Sequence, residues 1–118
     1  MTQNITINAP IKTVSEANRR DHWAARARRA KKQRSDAFYA VKAAGFKFQG
    51  GRLVVFLTRF GRRTLDDDNL ARSLKSVRDG VADALKVDDG DPRIGWVYFQ
   101  AINKKYSVEI DIWPEGCR

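Results

Sequence analysis

One apolar pattern constrains the fold of this 118-residue chain more than any other feature. Leucine and valine recur every three or four residues at Leu70, Leu74, Val77, Val81 and Leu85. This spacing predicts one amphipathic helix from about residue 69 to residue 84. Because an isolated helix of this length is only marginally stable in water, its apolar stripe must pack against a second apolar layer.

Four strand-like segments can supply that layer. Residues 4–8 alternate between polar side chains and isoleucine, residues 52–59 are rich in β-branched and aromatic side chains, and residues 94–103 and 106–113 follow the predicted helix. A tight turn near Lys104 would join the last two strands. Residues 60–65 are predicted to be a basic loop.

A second helical pattern covers residues 16–44 and ends at Gly45. Ser35 and Asp36 could cap a new helix, so an interruption is allowed there. The element order is then β-α-β-α-β-β. This order predicts an α/β fold in which residues 1–118 form a single domain, with two helices packed on a small mixed sheet.

The charge of the chain is strongly unbalanced. Twenty-three Lys and Arg residues face fourteen Asp and Glu residues, which gives a net charge of +9 and a pI near 10.1. A protein with this charge is attracted to polyanions, of which nucleic acid is the first candidate. Eight of the fourteen acids nevertheless lie between residues 66 and 91. The acidic stretch therefore needs its own explanation.

The sequence also predicts where the protein acts. The longest apolar run, at residues 53–57, is far shorter than the roughly 20 residues of a membrane-spanning helix. The N-terminus does not resemble a secretory signal. Cys117 has no partner cysteine for an intramolecular disulfide or a Cys-rich zinc site. We therefore expect a cytoplasmic protein with no membrane partner.

Residues 19–34 form the most basic segment of the chain, with eight Lys or Arg residues among sixteen. A solvated helix face is the simplest explanation, but a face this basic repels itself unless a polyanion binds it. Residues 59–63 add positive charge just before the acids. The predicted nucleic-acid-binding residues are Arg19, Arg20, Arg26, Arg28, Arg29, Lys31, Lys32, Arg59, Arg62 and Arg63.

The acidic stretch begins with three consecutive carboxylates, Asp66, Asp67 and Asp68. A helix N-cap and the helix dipole account for one or two acids at this position. The third favours a divalent cation, since carboxylate oxygens are its preferred ligands and the ion removes their mutual repulsion. If the segment is extended, Asp66 and Asp68 point the same way and can converge on one ion.

A second acidic group, Asp88, Asp89 and Asp91, follows the predicted helix. Asp-Gly and Asp-Pro pairs commonly form solvated turns, which is the simpler explanation. Acids beyond a helix C-terminus are, however, unfavourable in the helix dipole. Lys75 lies on the polar side of the same helix. Two acidic groups, a lysine and basic surfaces together indicate metal-dependent hydrolysis of a nucleic-acid phosphodiester.

These residues resemble a known family. The segments Asp66-Asp67-Asp68-Asn69-Leu70, Lys75 with Asp79, and Val87-Asp88-Asp89 are similar to the RusA family of Holliday junction resolvases. The resemblance covers roughly residues 62–91. It implies a RusA-like homodimeric endonuclease that uses Mg²⁺, with Mn²⁺ as a substitute, to cut four-way DNA junctions by paired symmetric incisions.

The resemblance also implies roles for individual residues. Asp66, Asp68 and Asp89 would bind the metal, and Lys75 would be the catalytic lysine. In the family's bacterial prototype the lysine follows Asn-Leu more closely, at the place that Arg72 occupies here. Asp88 and Asp91 also compete with Asp89 as the third ligand. Both alternatives stay open at this point.

Geometry adds a further constraint. A straight helix from residue 69 to residue 84 is about 22 Å long at ~1.5 Å per residue. Asp66 and Asp89 can then share a metal only if the turn after Leu85 folds back along the helix, or if a two-fold dimer completes each site. A non-catalytic nucleic-acid-binding module is the main alternative function, and docking of an acidic protein is another.

Overall fold

The computed structural model describes residues 4–15 and 22–115, which form a small α/β domain with three helices and a four-stranded mixed sheet. The elements in chain order are β1 (Ile5–Ala9), α1 (Trp23–Ala44), β2 (Leu53–Gly61), α2 (Asp67–Ser73), α3 (Lys75–Leu85), β3 (Ile94–Ile102) and β4 (Ser107–Pro114). All four predicted strands are confirmed to within about two residues at each end. The predicted start of α1 at residue 16 lies outside the described residues.

The strands lie in the order β1-β4-β2-β3. β2 and β3 are parallel, whereas β4 runs antiparallel to both β1 and β2. Parallel neighbours need a crossover connection, which α2 and α3 supply between β2 and β3. The connection near Lys104 does join β3 to β4, but the prediction of a tight turn there is wrong, because β2 lies between the two strands and the connection crosses it. The predicted mixed sheet itself is confirmed.

One face of the sheet packs against α1 and α3 and forms the core. Val55 and Leu57 of β2 and Ile110 and Ile112 of β4 are fully buried. They belong to the same apolar cluster as Val77 and Val81 of α3 and Val41 of α1. Because side chains alternate along a strand, the residues between them point to the opposite face of the sheet.

The single helix predicted for residues 69–84 is wrong in one respect, because it is broken into α2 and α3. Leu74 has φ −102° and ψ 0°, outside the helical region, and separates the two helices. The Ser73 hydroxyl donates to the carbonyl of Leu70 at 2.8 Å. Bonds of this kind compete with the regular helix ladder and often accompany bends.

By contrast, α1 runs without interruption through Ser35 and Asp36. The Lys32 ammonium donates to the Asp36 carboxylate at 2.8 Å, one helical turn away. This i,i+4 pair satisfies the Asp36 side chain within the helix, so Asp36 does not cap a new one.

α1 and α3 approach each other closely at Gly80. A Cβ atom at this position would lie 2.2 Å from the carbonyl oxygen of Arg34 and 2.9 Å from the Cβ of Ala37. Only glycine allows the two helix backbones to come this close. Next to this contact, the Arg34 guanidinium donates to both carboxylate oxygens of Asp83, at 2.6 and 2.9 Å. The glycine and the ion pair together fix α1 against α3.

α1, with 22 residues, is the longest of the described helices. Within the described ranges, no helix is both long enough and apolar enough to cross a membrane.

Candidate functional site

The acidic triplet lies at the start of α2. Asp66 is the N-cap: its Oδ1 accepts from the backbone N–H of Asn69 at 2.9 Å, and its Oδ2 accepts from the Asn69 side-chain amide at 3.3 Å. The capping role considered from the sequence is therefore confirmed for Asp66. The carboxylate remains exposed, so its remaining lone pairs face solvent.

Asp67 and Asp68 follow in the first helical turn, where the helix dipole favours negative charge. The expectation that Asp66 and Asp68 converge from an extended segment is wrong, because the chain is helical from Asp67 onward. Residues two apart in a helix point in different directions. Within the part of the chain that the structure describes, no hydrogen bond or ion pair involves the exposed Asp68 carboxylate.

The second acidic group folds back along α3. The Lys75 ammonium, at the first residue of α3, donates to Asp89 Oδ2 at 2.6 Å and to Asp79 Oδ1 at 2.7 Å. Asp89 follows the C-terminus of α3, so this contact closes a reversal of fourteen residues. The turn after Leu85 therefore folds back along α3 as far as the Lys75 side chain.

This reversal shortens the distance between the two acidic groups. Lys75 follows Asp68 by seven positions, which is about 10 Å along a helix at ~1.5 Å per residue. The Lys75 ammonium contacts both Asp79 and Asp89, so Asp89 lies beside the first turns of α3 and not beyond its C-terminal end.

Two further side chains hold Asp89 in place through its backbone, and a third residue contacts one of them. The Asp89 carbonyl accepts from Arg78 Nη2 at 2.6 Å and from Trp96 Nε1 at 3.2 Å. The Arg78 guanidinium lies over the Trp96 ring and donates from Nη1 to the Tyr98 hydroxyl at 2.8 Å. Sequence reasoning did not identify these three residues. Their only signal was the placement of Arg78 on the polar side of the predicted helix.

At this contact Lys75 and Asp89 each stabilise the charged form of the other. Hydrogen bonds from Lys75 to Asp79 and Asp89 raise the pKa of Lys75, and the Lys75 ammonium lowers the pKa of Asp89. Because the pKa of Asp89 is lowered in the fold, its charged form stabilises the folded state at pH values above the ordinary carboxyl pKa of 3.8. That stabilisation is lost as the pH falls through the lower pKa of the folded state. Both groups are therefore charged at neutral pH. An ammonium with a raised pKa is suited to stabilising negative charge and poorly suited to accepting a proton.

The turn's other acids are engaged differently. Asp91 pairs with Arg93 at 2.8 Å, and the hydrogen bonds from Arg93 lower the pKa of Asp91 to about 2. Asp88 is exposed. Only Asp89 of the three contacts Lys75 within the described chain.

A small cavity of about 90 Å³ lies beside this contact, between α1, α3 and the turn. Four carboxylates face it, those of Asp79, Asp83, Asp88 and Asp89, together with Arg34. Arg34 belongs to the basic segment of α1 and holds the pKa of Asp83 below its ordinary value through their hydrogen bond. The basic helix and the acidic group are therefore neighbours in the fold.

The donor chemistry of the predicted metal ligands fits a hard cation, since all three are carboxylates. Their arrangement does not form a finished site. Among residues 4–15 and 22–115, no group of three or more His, Cys, Asp or Glu side chains is placed to hold a metal ion. Asp66 is used as a cap and Asp89 is paired with Lys75, so both would have to turn toward an incoming ion.

The basic surface of α1 lies largely as predicted. Arg26, Arg28, Lys31 and Lys32 are exposed, and Arg29 is half-buried. Arg28, Arg29 and Lys32 also line a groove of about 400 Å³ against Pro10–Lys12. Arg19 and Arg20 lie outside the described residues. Four predicted residues thus present positive charge to solvent on one helix.

Arg59 is a correction to the predicted nucleic-acid surface. It points into the protein from β2 and is only 3% exposed. Its Nε donates to the Thr13 hydroxyl at 2.9 Å and its Nη1 to the carbonyl of Arg63 at 2.7 Å, and burial lowers its pKa. Arg59 therefore fastens the segment after β1 and the loop after β2. Arg62 and Arg63 are exposed and remain candidates for phosphate contact.

Comparison with known proteins adds little about function. No model of a known protein family matches the chain. The chain is similar to an uncharacterized protein of Xylella fastidiosa (strain Temecula1), with 36% identity over 93 residues. The alignment covers 74% of this chain and 60% of the relative. The chain thus spans less than two thirds of the length of that relative.

Proposed function

We propose that this chain is a metal-dependent endonuclease that cuts four-way DNA junctions, in the manner of the RusA family that its motifs resemble. Mg²⁺ is the proposed cofactor, with Mn²⁺ as a substitute, and branched DNA is the proposed substrate. Two copies would provide the two equivalent sites that a two-fold-symmetric junction requires.

The contact between Lys75 and Asp89 carries this proposal. The turn after α3 returns to the start of that helix and places the Asp89 carboxylate on the Lys75 ammonium. Two side chains, Arg78 and Trp96, bind the backbone carbonyl of Asp89, and the Tyr98 hydroxyl accepts a hydrogen bond from Arg78. A catalytic site needs its groups at fixed positions, and surrounding contacts of this kind supply that positioning.

The proposed roles follow from the chemistry of each residue. Asp68 and Asp89, with Asp66, would hold the cation, which would neutralise the scissile phosphate and activate water. Lys75 stays protonated, so it would stabilise the charge that develops on the phosphate in the transition state. The exposed cations of α1 would hold the DNA backbone beside these acids.

A junction-cleavage assay tests the proposal directly. With Mg²⁺ the protein should nick a synthetic four-way junction in two symmetrically placed strands, and it should leave a linear duplex of the same sequence intact. A chelator should stop the reaction. Equal cleavage of the duplex would contradict the junction specificity, and absence of divalent-dependent cleavage on any DNA would contradict the proposal as a whole.

Substitution of Lys75 separates chemistry from metal binding. We expect Lys75→Met to lower the cleavage rate by roughly 100-fold or more, because the charge beside the reacting phosphate is lost. The apparent affinity for Mn²⁺, measured by titration calorimetry, should be unchanged or higher, since Asp89 is released from its ion pair.

Arg72→Met is the matched control for Lys75→Met. Arg72 is the last basic residue of α2 and is exposed. It should keep cleavage within a few-fold of the wild type. If Arg72→Met abolishes cleavage and Lys75→Met does not, the assignment of the catalytic lysine is wrong and the nearer position carries the role.

A non-catalytic nucleic-acid-binding module is the second candidate function. The capping bonds of Asp66 and the ion pair of Asp89 favour it, because each gives the acid a structural role without a metal. A binding module should bind DNA with a steep salt dependence. In such a module, neutralising Asp68 should strengthen binding and leave no activity to lose.

A further inference from the structure

A groove along one side of α1 lies apart from the proposed active site. It runs between α1 and residues 10–14, which follow β1, and it has a volume of about 400 Å³. This volume is in the range of ligand-binding pockets, roughly 300–1,000 Å³. Lys32 of α1 lines the groove, whereas Arg34, two residues later, lines the acidic cavity. Because two residues turn about 200° around a helix axis, the groove and the acidic cavity lie on opposite sides of α1.

Two hydrogen bonds hold the segment after β1 in place. Nε2 of Gln33, a buried α1 residue that is 5% exposed, donates to the carbonyl of Lys12 at 2.9 Å. Nε of Arg59 donates to the Thr13 hydroxyl at 2.9 Å, which ties the same segment to β2. The segment is thus fastened both to α1 and to the sheet, so the groove has fixed walls, as preformed binding sites do.

The side of the groove formed by the segment after β1 is largely apolar. Pro10, Ile11 and Val14 line it. Ile11 is buried, Val14 is half-buried and Pro10 is exposed. An apolar group of a ligand can therefore contact Pro10 and Val14, where it is shielded from water.

The side of the groove formed by α1 is basic. Arg28, Arg29 and Lys32 line it from this helix, and Lys12 adds a fourth cation from the segment after β1. Among the described residues that line the groove, Asp36 is the only carboxylate, and it is paired with Lys32 at 2.8 Å. Four cations and one carboxylate give the groove a net charge of +3, so it favours an anionic ligand.

An anion that carries an apolar group fits these two sides. A single strand of DNA has this chemistry at every nucleotide, which offers a phosphate and a planar base outside any duplex. A duplex presents its phosphates but keeps its bases stacked inside, out of reach of the apolar side. Arg28 and Lys32 are i,i+4 neighbours, about 5–6 Å apart at Cβ, so they can hold neighbouring phosphates. An acidic peptide matches the charge, but its carboxylates offer nothing to the apolar side.

We propose that this groove binds single-stranded DNA, with a base against Pro10 and Val14 and the adjoining phosphates on Arg28 and Lys32. The inference rests on the nucleic-acid substrate of the proposed function and adds a second DNA site to it. Since the groove and the acidic cavity lie on opposite sides of α1, the nucleotide held in the groove is not the one cut beside Asp89 of the same chain.

Two matched oligonucleotides test this inference. A short fluorescent oligothymidine and an abasic strand with the same number of phosphates are each titrated with the protein, with chelator and at moderate salt, and followed by fluorescence anisotropy. Oligothymidine should bind at least about fivefold more tightly, because only this strand supplies bases for the apolar side. Val14→Asp should abolish the preference, since a carboxylate replaces the apolar contact.

Variants on the basic side should shift the affinity in opposite directions. Arg28→Gln should weaken oligothymidine binding about fivefold or more, whereas Lys42→Gln, the same loss of charge on α1 outside the groove, should weaken it less than about twofold. Asp36→Asn removes the carboxylate that lines the groove and should tighten binding about twofold or more. Glu115→Gln, which removes an exposed carboxylate beyond the end of β4, should not. Misfolding does not produce a gain in affinity, and circular dichroism would establish that Arg28→Gln and Val14→Asp are folded.

Several results would overturn the inference. They are failure to bind oligothymidine, equal affinity for oligothymidine and the abasic strand, and equal losses in Arg28→Gln and Lys42→Gln. Competition by oligoglutamate as strong as that by unlabelled oligothymidine would assign the groove to acidic peptides and would also overturn it. A protein that cuts junctions without a preference for bases would overturn only the inference. A protein that prefers bases and cuts nothing would contradict only the proposed nuclease activity.

Discussion

Asp68→Asn should bind four-way junctions and fail to cut them. We expect the cleavage rate to fall by roughly 100-fold or more, since an amide is a neutral and weaker ligand for a divalent cation. Binding should persist, and become slightly tighter, because one negative charge near the DNA is removed. The fold should be little affected. Asp68 is exposed, and the helix dipole contributes only about 0.3–1 kcal/mol at this position.

Asp67→Asn is the control for this prediction. Asp67 lies in the same helical turn, is equally exposed and experiences the same dipole. It should keep the cleavage rate within a few-fold of the wild type. Rates measured on the same junction at saturating Mg²⁺ give the comparison. A fully active Asp68→Asn protein, or an equal loss in both variants, would remove Asp68 from the proposed site.

Gly80→Ala should destabilise the fold by about 3 kcal/mol, at the upper end of the range for overpacked positions. The added Cβ would lie 2.2 Å from the carbonyl oxygen of Arg34, which is backbone and cannot turn aside. Helix propensity would return at most about 1 kcal/mol. Urea unfolding followed by circular dichroism gives the change in free energy.

Gly90→Ala is the matched control for Gly80→Ala. Nothing lies within 4 Å of a Cβ built on Gly90, so its substitution should change stability by less than about 1 kcal/mol. If the urea concentration at the unfolding midpoint is the same for Gly80→Ala as for the wild type, the close contact between α1 and α3 is not as the structure describes it. The placement of Arg34 beside Asp83 would then also be in doubt.

The elements of this fold could be predicted because their signals are local. The alternation of Val108, Ile110 and Ile112 and the helical spacing of Val77, Val81 and Leu85 depend only on which face of one element is buried. Those positions are core residues in the structure. The order of the strands did not follow from these patterns, because strand pairing depends on contacts between distant segments.

The candidate site was predictable in its residue types and only partly in its geometry. A helix cap within the three acids at residues 66–68 follows from their position before an apolar repeat, but the sequence did not show that Asp66 is the one that caps. The bend at Leu74 was missed because Leu70 and Leu74 fit a continuous helix as well as a broken one. The return of Asp89 to Lys75 depends on Arg78 and Trp96, which meet only after the chain has folded.

The placement of Arg59 also could not be predicted from the sequence. As one arginine in a basic run, it was expected to contact DNA. In the fold the Arg59 side chain points inward, to the same face of β2 as Leu57. Its guanidinium donates hydrogen bonds to the Thr13 hydroxyl and the Arg63 carbonyl. Whether a charged side chain points inward depends on partners that lie far away in the sequence.

The central claim is that the acids at the start of α2 and Asp89 of the following turn bind one divalent cation. Anomalous diffraction from crystals soaked in manganese tests it most directly, with the Asp68→Asn protein soaked in parallel. We predict an anomalous peak bonded to the carboxylates of Asp68 and Asp89 in the wild type and no peak in the variant. Well-diffracting wild-type crystals that show no peak beside Asp66, Asp68 or Asp89 at saturating manganese would contradict the claim.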